Sequence, residues 1–336
     1  MEQFRSDAFL RQAQEAFQTH PEQAETSESD AVILDAAWRK SQETETDKID
    51  IESFHQVFGK DRVEKDRRHA ASLHKMFEHQ LNHPQTGELV RMGRILEAIM
   101  IEQVELNEWL GPNVNTQQTT DFDDYQNGVD FVAEFQENKA SRYVGFAVDA
   151  THGSKQTMKN KLSRLRAKLT KGEMGHVDYF RSRDGRVEGR LNFLPKVVVQ
   201  VDKKLLVEIA RLWVSGKQKE LAEHPVKNLI QQEILLQLRA QVSYAQALVR
   251  QDKPNAEQIL ERLQDELLAF EARLPKEQPT FSETEKAFLL RVQQHVERIF
   301  DESMVEQAVR WEEKFKQQQR NQRAKMHDKQ KQENRD

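Results

Sequence analysis

Residues 127 to 155 read NGVDFVAEFQENKASRYVGFAVDATHGSK. Two runs of β-branched and aromatic residues flank a polar turn, which is the signature of a hairpin. In the second run Val144, Phe146, Val148 and Ala150 share one face, while Tyr143, Gly145, Ala147, Asp149 and Thr151 share the other. In the first, Val129, Phe131, Ala133 and Phe135 oppose Asp130, Val132 and Glu134. If the large apolar faces meet in the core, a turn centred between Asn138 and Ala140 sets Asp130 and Asp149 opposite or diagonal on one face. Like charges at that spacing destabilise a sheet unless a cation joins them. The other reading is that both aspartates cap strand ends and turn to water, with Asp149 bonding the backbone of the following THGS.

Outward from this hairpin the chain is helix-coloured. It has 336 residues, of which 32% are charged, with only 12 Gly and 8 Pro. That length supports a sizeable core, and the composition points to long exposed helices. The absence of cysteine excludes disulfides, thiol catalysis and thiolate metal sites. No run approaches the ~20 apolar residues of a membrane span, and the start MEQFRSDAFLRQAQEAF lacks a signal-peptide layout, so the cytoplasm is the expected location with no membrane partner.

The net charge of −5 is unevenly spread. Twelve Asp/Glu against five Lys/Arg make residues 1–50 acidic, whereas 151–172 hold seven Lys/Arg and no acid. Residues 1–60 therefore read as an acidic, partly disordered segment, with a short amphipathic helix at 3–19. Residues 61–202 read as a helical lead-in and an α/β core, 203–316 as a helical domain, and 317–336 as a basic disordered tail. The lead-in helices span 61–81 and 88–110. The core continues with a basic helix at 155–171, a strand HVDYF at 176–180 and a strand KVVVQVD at 196–202. Asp202 suits an N-cap, and Ser282-x-x-Glu285 opens the last helix as a capping box. The C-terminal helices suit a small bundle, with a protein partner or self-association as their use.

In the basic helix Met158, Leu162, Leu165 and Leu169 form the apolar stripe. Lys161, Arg164, Lys168 and Lys171 flank it on one side and Lys155, Lys159 and Arg166 on the other. Such shoulders either contact phosphates or lay their stems along a core helix. His79 and His83 are spaced as a zinc pair is, yet EHQLNH lacks the metalloprotease order and a third ligand. DFDDYQNGVD does not place its acids at calcium-loop positions. Phosphate-binding glycine loops and nucleophile elbows are missing.

The order of these elements resembles the restriction-endonuclease-like fold of the PD-(D/E)XK nuclease superfamily. It runs from a helix with Glu97 or Glu102 through a strand opening on Asp130 to a strand with Asp149 and a polar residue two places on. A basic helix and another strand follow. The stretches HVDYF and LPKVVVQVD are similar to bacterial proteins of unassigned role. The resemblance implies a small mixed sheet with helical extensions, a divalent ion such as Mg²⁺ held by Asp130 and Asp149 with Glu97 or Glu102, and a nucleic-acid substrate. The superfamily's lysine position holds Thr151, so Lys155 and Lys159 are the expected substitutes, with Lys161, Arg164, Lys168 and Lys171 facing phosphates. The departure at Thr151 leaves two further expectations open, a nuclease-derived protein that only binds nucleic acid and a non-catalytic helical interaction or scaffold protein on a decayed nuclease-like core.

Overall fold

The computed structural model describes residues 28–44, 48–83, 86–135, 145–152, 155–276, 279–301 and 303, with the side chains of Glu28, Thr44, Gln80 and Lys155 outside the description. The expected helix at 3–19, the hairpin turn itself and the basic tail fall outside it.

The first described element, α1 (Glu28–Thr44), lies inside the segment that reads as an acidic linker. Its acid content hides a stripe at helical spacing in which Leu34, Ala37 and Ser41 are buried and Ile33 and Trp38 half-buried. The Lys40 ammonium seals this face by donating to the Trp213 carbonyl at 2.9 Å. After a 3-10 turn, Ile51–Phe54, come α2 (Lys60–Leu81) and α3 (Gly87–Leu106). The third helix stops short of the expected Leu110, because Glu108 takes a left-handed φ of 54°. The turn drops Trp109 and Leu110 into the core, where the indole N–H reaches the Leu221 carbonyl at 3.2 Å.

A four-stranded mixed sheet is the centre of the molecule. It comprises β1 (Val114–Gln118), β2 (Phe131–Phe135), β3 (Gly145–Thr151) and β6 (Lys196–Gln200), in the order β1-β2-β3-β6. The first three pair antiparallel, and β3 pairs with β6 in parallel after the crossover helix α4 (Lys155–Thr170). The expected hairpin is present with Phe131 opposite Val148 and Glu134 opposite Gly145. The expected strand HVDYF belongs to a separate two-stranded sheet, β4 (Gly175–Arg181) with β5 (Glu188–Leu194). Both faces of the central hairpin are buried. Phe131, Ala133, Phe146 and Val148 join α3 and the later helices in the main core, while Val132 and Ala147 meet Val177, Phe180 and Leu194 of the second sheet. A strand buried on both sides strengthens the demand that Asp130 and Asp149 be paired.

The C-terminal half comprises α5 (Lys203–Val214), α6 (Gln218–Ala222), α7 (Val226–Arg250), α8 (Ala256–Glu271) and α9 (Glu283–Ile299). Asp202 caps α5 through the Leu205 N–H at 2.8 Å, and Ser282 with Glu285 forms the capping box of α9. Helix α5 ends just before Gly216, whose φ is 67°. Helix α7 does more than cover the sheet. Glu233, Gln237 and Gln241 lie four residues apart on one face and bond the free edge of β6 in place of a fifth strand. Gln237 accepts from the Val198 N–H at 2.8 Å and donates to its carbonyl at 2.6 Å. Gln241 donates to the Lys196 carbonyl at 3.0 Å, and Glu233 accepts from the Gln200 N–H at 3.1 Å. An edge that could recruit a foreign strand is closed by side chains. Among the described residues no helix is long and apolar enough to cross a membrane.

Candidate active site

The register that pairs Phe131 with Val148 puts Asp130, one residue earlier, opposite Asp149. Asp130 is tied to the neighbouring strand twice, its N–H donating to the Val148 carbonyl at 3.0 Å and its Oδ2 accepting from the Ala150 N–H at 2.6 Å. Burial drives its carboxyl well above the ordinary range, and the negative charges of Glu97, Asp149 and Asp124 push it further. Asp149 behaves in the opposite way. Burial works against its charge, but Lys161 and Lys196 outweigh burial and hold it below the ordinary carboxyl range. The Lys161 ammonium bonds Oδ1, and that of Lys196 lies 2.9 Å from Oδ2.

Each lysine arrives by a different route. Lys161 lies on α4 one residue before the buried Leu162, at the margin of the apolar stripe, so its stem is carried toward the sheet rather than to water. Lys196 opens β6, the parallel neighbour of β3, and its ammonium also bonds the Gly128 carbonyl. Gly128 stands at φ 65°, and a Cβ there would come within 3.1 Å of the Lys196 Nζ and 3.7 Å of Asp149 Oδ2. The turn before β2 thus needs glycine both for its backbone conformation and for the approach of this ion pair. A buried aspartate anchors the same turn, since Asp123 accepts from the Asp178 and Tyr179 N–H groups at 2.7 and 3.0 Å and from Asn127 at 2.7 Å.

Helix α3 supplies the third carboxylate. Glu97 is buried, accepting from Arg94 at 3.0 Å and from Gln118 at 3.2 Å. Arg94 also lies 2.8 Å from Asp124, and Lys48 lies 3.5 Å from Asp124 and 2.9 Å from Asp121. Burial opposes the charge of Arg94, yet Asp124 and Glu97 raise its pKa well above the ordinary value.

These positions sort the residues expected from sequence. Asp130 and Asp149 face each other, and Glu97 bears on Asp130 through its charge. Glu102 does not, because five residues along a helix turn it by roughly 140° from Glu97. It instead accepts from the Trp213 indole and from Gln218, each at 2.8 Å, where α3 meets α5 and α6. Lys161, expected on the phosphate-facing shoulder, is inside the cluster. Lys159 is exposed and two residues away round the helix from Lys161, and the Lys155 side chain lies outside the described residues. Arg164 and Lys171 are exposed, while Lys168 is half-buried, its pKa lowered by burial and by Lys196 nearby. Of the histidines on and just after α2, His69 meets Gln126 at 2.9 Å and His74 meets the Tyr125 hydroxyl at 2.8 Å, while His79 and His83 are exposed. Sequence reasoning missed Lys196, Arg94, Lys48 and Asp124. A lysine opening a run as apolar as VVV was the one signal among them.

Hard carboxylate oxygens are the donors that Mg²⁺ takes, and the mutual repulsion that raises Asp130 is what a cation among them would relieve. The donor chemistry fits such an ion. Among the described residues, however, no three or more His, Asp or Glu are grouped so that they could hold a metal ion, and ammonium groups occupy both oxygens of Asp149. An ion would have to displace one of them. The chain matches no family model, no curated protein and no solved structure, so the reading of this cluster rests on its geometry.

Proposed function

We propose that residues 87–200 form a nuclease-like core of the PD-(D/E)XK kind, acting on nucleic acid with a divalent ion. The observation that carries this reading is the contact of Lys161 with Asp149. The lysine missing at Thr151 has a counterpart on the following helix, beside the carboxylates that the reading requires. Further support comes from the element order, in which α3, β1, β2 and β3 are followed by α4 and by β6 parallel to β3.

In this reading Asp130, Asp149 and Glu97 would hold the ion, which would supply Lewis-acid chemistry toward the phosphate. Asp130, whose carboxyl its neighbours hold up, would have to ionise to take that role. Lys161 leaves Asp149 to face the phosphate, where its fixed positive charge opposes the charge that develops on the oxygens. Lys196 stays on Asp149 and on the Gly128 carbonyl, keeping the turn before β2 in position.

A second reading is favoured by a specific observation, that both Asp149 oxygens already carry an ammonium group. Two lysines then stand permanently where a metal would, and the core is a scaffold without hydrolytic activity. Incubating plasmid, single-stranded DNA and RNA with Mg²⁺ or Mn²⁺ separates the two. Cleavage that falls about a hundredfold in Lys161→Gln, and is unchanged in Lys159→Ala, supports the enzyme. Inert wild-type protein supports the scaffold. Cleavage indifferent to both Lys161→Gln and Asp130→Asn removes the assignment of the site.

A further inference from the structure

A cavity of about 780 Å³ adjoins the acid–lysine cluster, between α1, α2 and the turn that precedes β2. The volume lies within the roughly 300–1,000 Å³ of small-molecule sites. Trp38, His74, Phe77 and Tyr125 line it together with Lys48 and Arg94. Phe77 and Tyr125 stack with centroids 4.8 Å apart, and the Arg94 guanidinium lies 5.9 Å from the Tyr125 ring. These two cations are shared with the cluster, since Arg94 touches both Glu97 and Asp124 and Lys48 reaches Asp124. The Arg94 guanidinium thus links the lining of the cavity to the carboxylates.

Charge decides what kind of ligand this chamber suits. Three of the four Lys and Arg side chains on its lining are matched by acids, Lys48 by Asp121, Arg94 by Glu97 and Asp124, and Arg67 by Glu64, and Asp50, Glu78 and Asp121 lie on the same lining. A polyphosphate would find little uncompensated positive charge. A flat, neutral heterocycle would find aromatic faces, together with the amide of Gln42 and the hydroxyl of Thr120 on the same lining. We propose that the cavity takes the base of one unpaired nucleotide, in a strand whose phosphates pass over Asp149 and Lys161. This deepens, and rests on, the nucleic-acid reading of the adjoining cluster. Stacking on aromatic rings is tolerant of base identity, so the site would select unpaired structure rather than sequence.

The test uses the full chain in EDTA, so that binding is read without cleavage. Oligonucleotides carry one 2-aminopurine, either unpaired at a strand end or within a blunt duplex, and the free 2-aminopurine nucleoside monophosphate is a third probe. The expected result is quenching and tighter binding for the unpaired strand alone. Tyr125→Ala should weaken that binding between about fivefold and a hundredfold, the scale of one stacked base, while Tyr125→Phe retains it. Circular dichroism checks that each variant folds, and Trp38→Phe supplies a milder change in the opposite wall, expected to alter the quench without abolishing binding. Equal affinity for blunt duplex, or quenching unaffected by Tyr125→Ala, overturns the proposal. So does a free nucleotide that binds as tightly as the strand, because the cavity would then serve a small molecule. Quenching without cleavage in Mg²⁺ or Mn²⁺ sinks the nuclease reading and leaves the base site standing. Cleavage without quenching does the reverse.

Discussion

Lys161 of α4 bonds Asp149 of β3 on the oxygen that Lys196 leaves free, so one buried carboxylate carries two ammonium groups from two different elements. Their balance is asymmetric. The three charges together offset their desolvation, but any one removed leaves the others buried without compensation.

Asp149→Asn is therefore expected to destabilise the protein by about 3 kcal/mol or more, because two lysines would face each other across a neutral amide. The folded carboxyl is held below its ordinary range, so its contribution is present above that range and is lost as pH falls through the folded value. Urea denaturation from pH 7 down to pH 3 should show wild-type stability declining more steeply than that of the variant. Equal stability of the two proteins at pH 7 would mean that the pair is a surface contact.

The basic helix gives a salt prediction that differs from one made on composition alone. Lys161 is spent inside the cluster, leaving Arg164, Lys168 and Lys171 of that shoulder, the first and last exposed and Lys168 half-buried. Replacing these three by Gln should flatten the dependence of DNA or RNA affinity on salt by up to about one unit per lost phosphate contact. A protein truncated after Lys316 is the control for the basic tail. An unchanged slope in both removes this helix from any nucleic-acid surface.

How much of this was legible in the sequence varies with the range of the interaction. The facing of Asp130 and Asp149 follows from local alternation and hairpin symmetry, and the observed register agrees with it. The choice between Glu97 and Glu102 needs the rotation of α3, which only its packing against the sheet fixes. Lys196 was invisible because its neighbour is set by a parallel crossover some forty-five residues long, judged from β3 to β6. Strand β1 was missed since Val-Asn-Thr-Gln-Gln has no apolar alternation, and its pairing with β2 comes from the sheet edge rather than from its own residues. Helix α1 was missed because charge was read before periodicity.

The edge of β6 makes a separate prediction. Burial pushes the Glu233 carboxyl up to about 8, against the bond it accepts from the Gln200 N–H, and its second oxygen has no hydrogen-bond partner among the described residues. The unfolded group titrates near 4.5, so the cost of charging it is absent below that pH, grows between the two values and is complete above 8. Glu233→Gln carries no such cost and can copy the two-way bonding of Gln237. It should match wild type near pH 4.5 and exceed it by about 1–3 kcal/mol at pH 8. Stability curves that stay parallel across this range would show that Glu233 is solvated in solution.

Gln237 tests the same edge without titration. Its side chain satisfies both the N–H and the carbonyl of Val198, two buried backbone groups with no strand beyond them among the described residues. Gln237→Leu fits the volume and leaves both unpaired, which should cost about 2–4 kcal/mol at all pH values. Increased self-association of this variant, read by sedimentation, is the accompanying outcome if the uncovered edge recruits another strand. Wild-type stability in Gln237→Leu would mean that water replaces the amide.

Asp130 separates the two readings of the cluster through stability alone. Burial and the charges of Glu97 and Asp149 raise its carboxyl, so ionising it opposes folding, and that penalty grows as pH rises through and beyond the ordinary carboxyl range. Asp130→Asn keeps an oxygen for the Ala150 N–H and removes the ionisable group. The variant should equal wild type in mild acid and become the more stable protein as pH increases, whichever reading holds. The response to a divalent ion is where they part. An ion bound only by the folded form adds a mass-action term of roughly 2.7 kcal/mol at a hundredfold excess over its dissociation constant. If Asp130, Asp149 and Glu97 hold it, Mg²⁺ or Mn²⁺ should raise the melting temperature of wild type in a concentration-dependent way, and more so at higher pH, where Asp130 ionises more readily. Asp130→Asn should lose most of that rise. If Lys161 and Lys196 stand permanently in place of a metal, the melting curves of both proteins will ignore millimolar Mg²⁺ and Mn²⁺ while the pH-dependent gap between them persists. That second outcome would withdraw the ion from the site and, with it, the hydrolytic role assigned to Lys161.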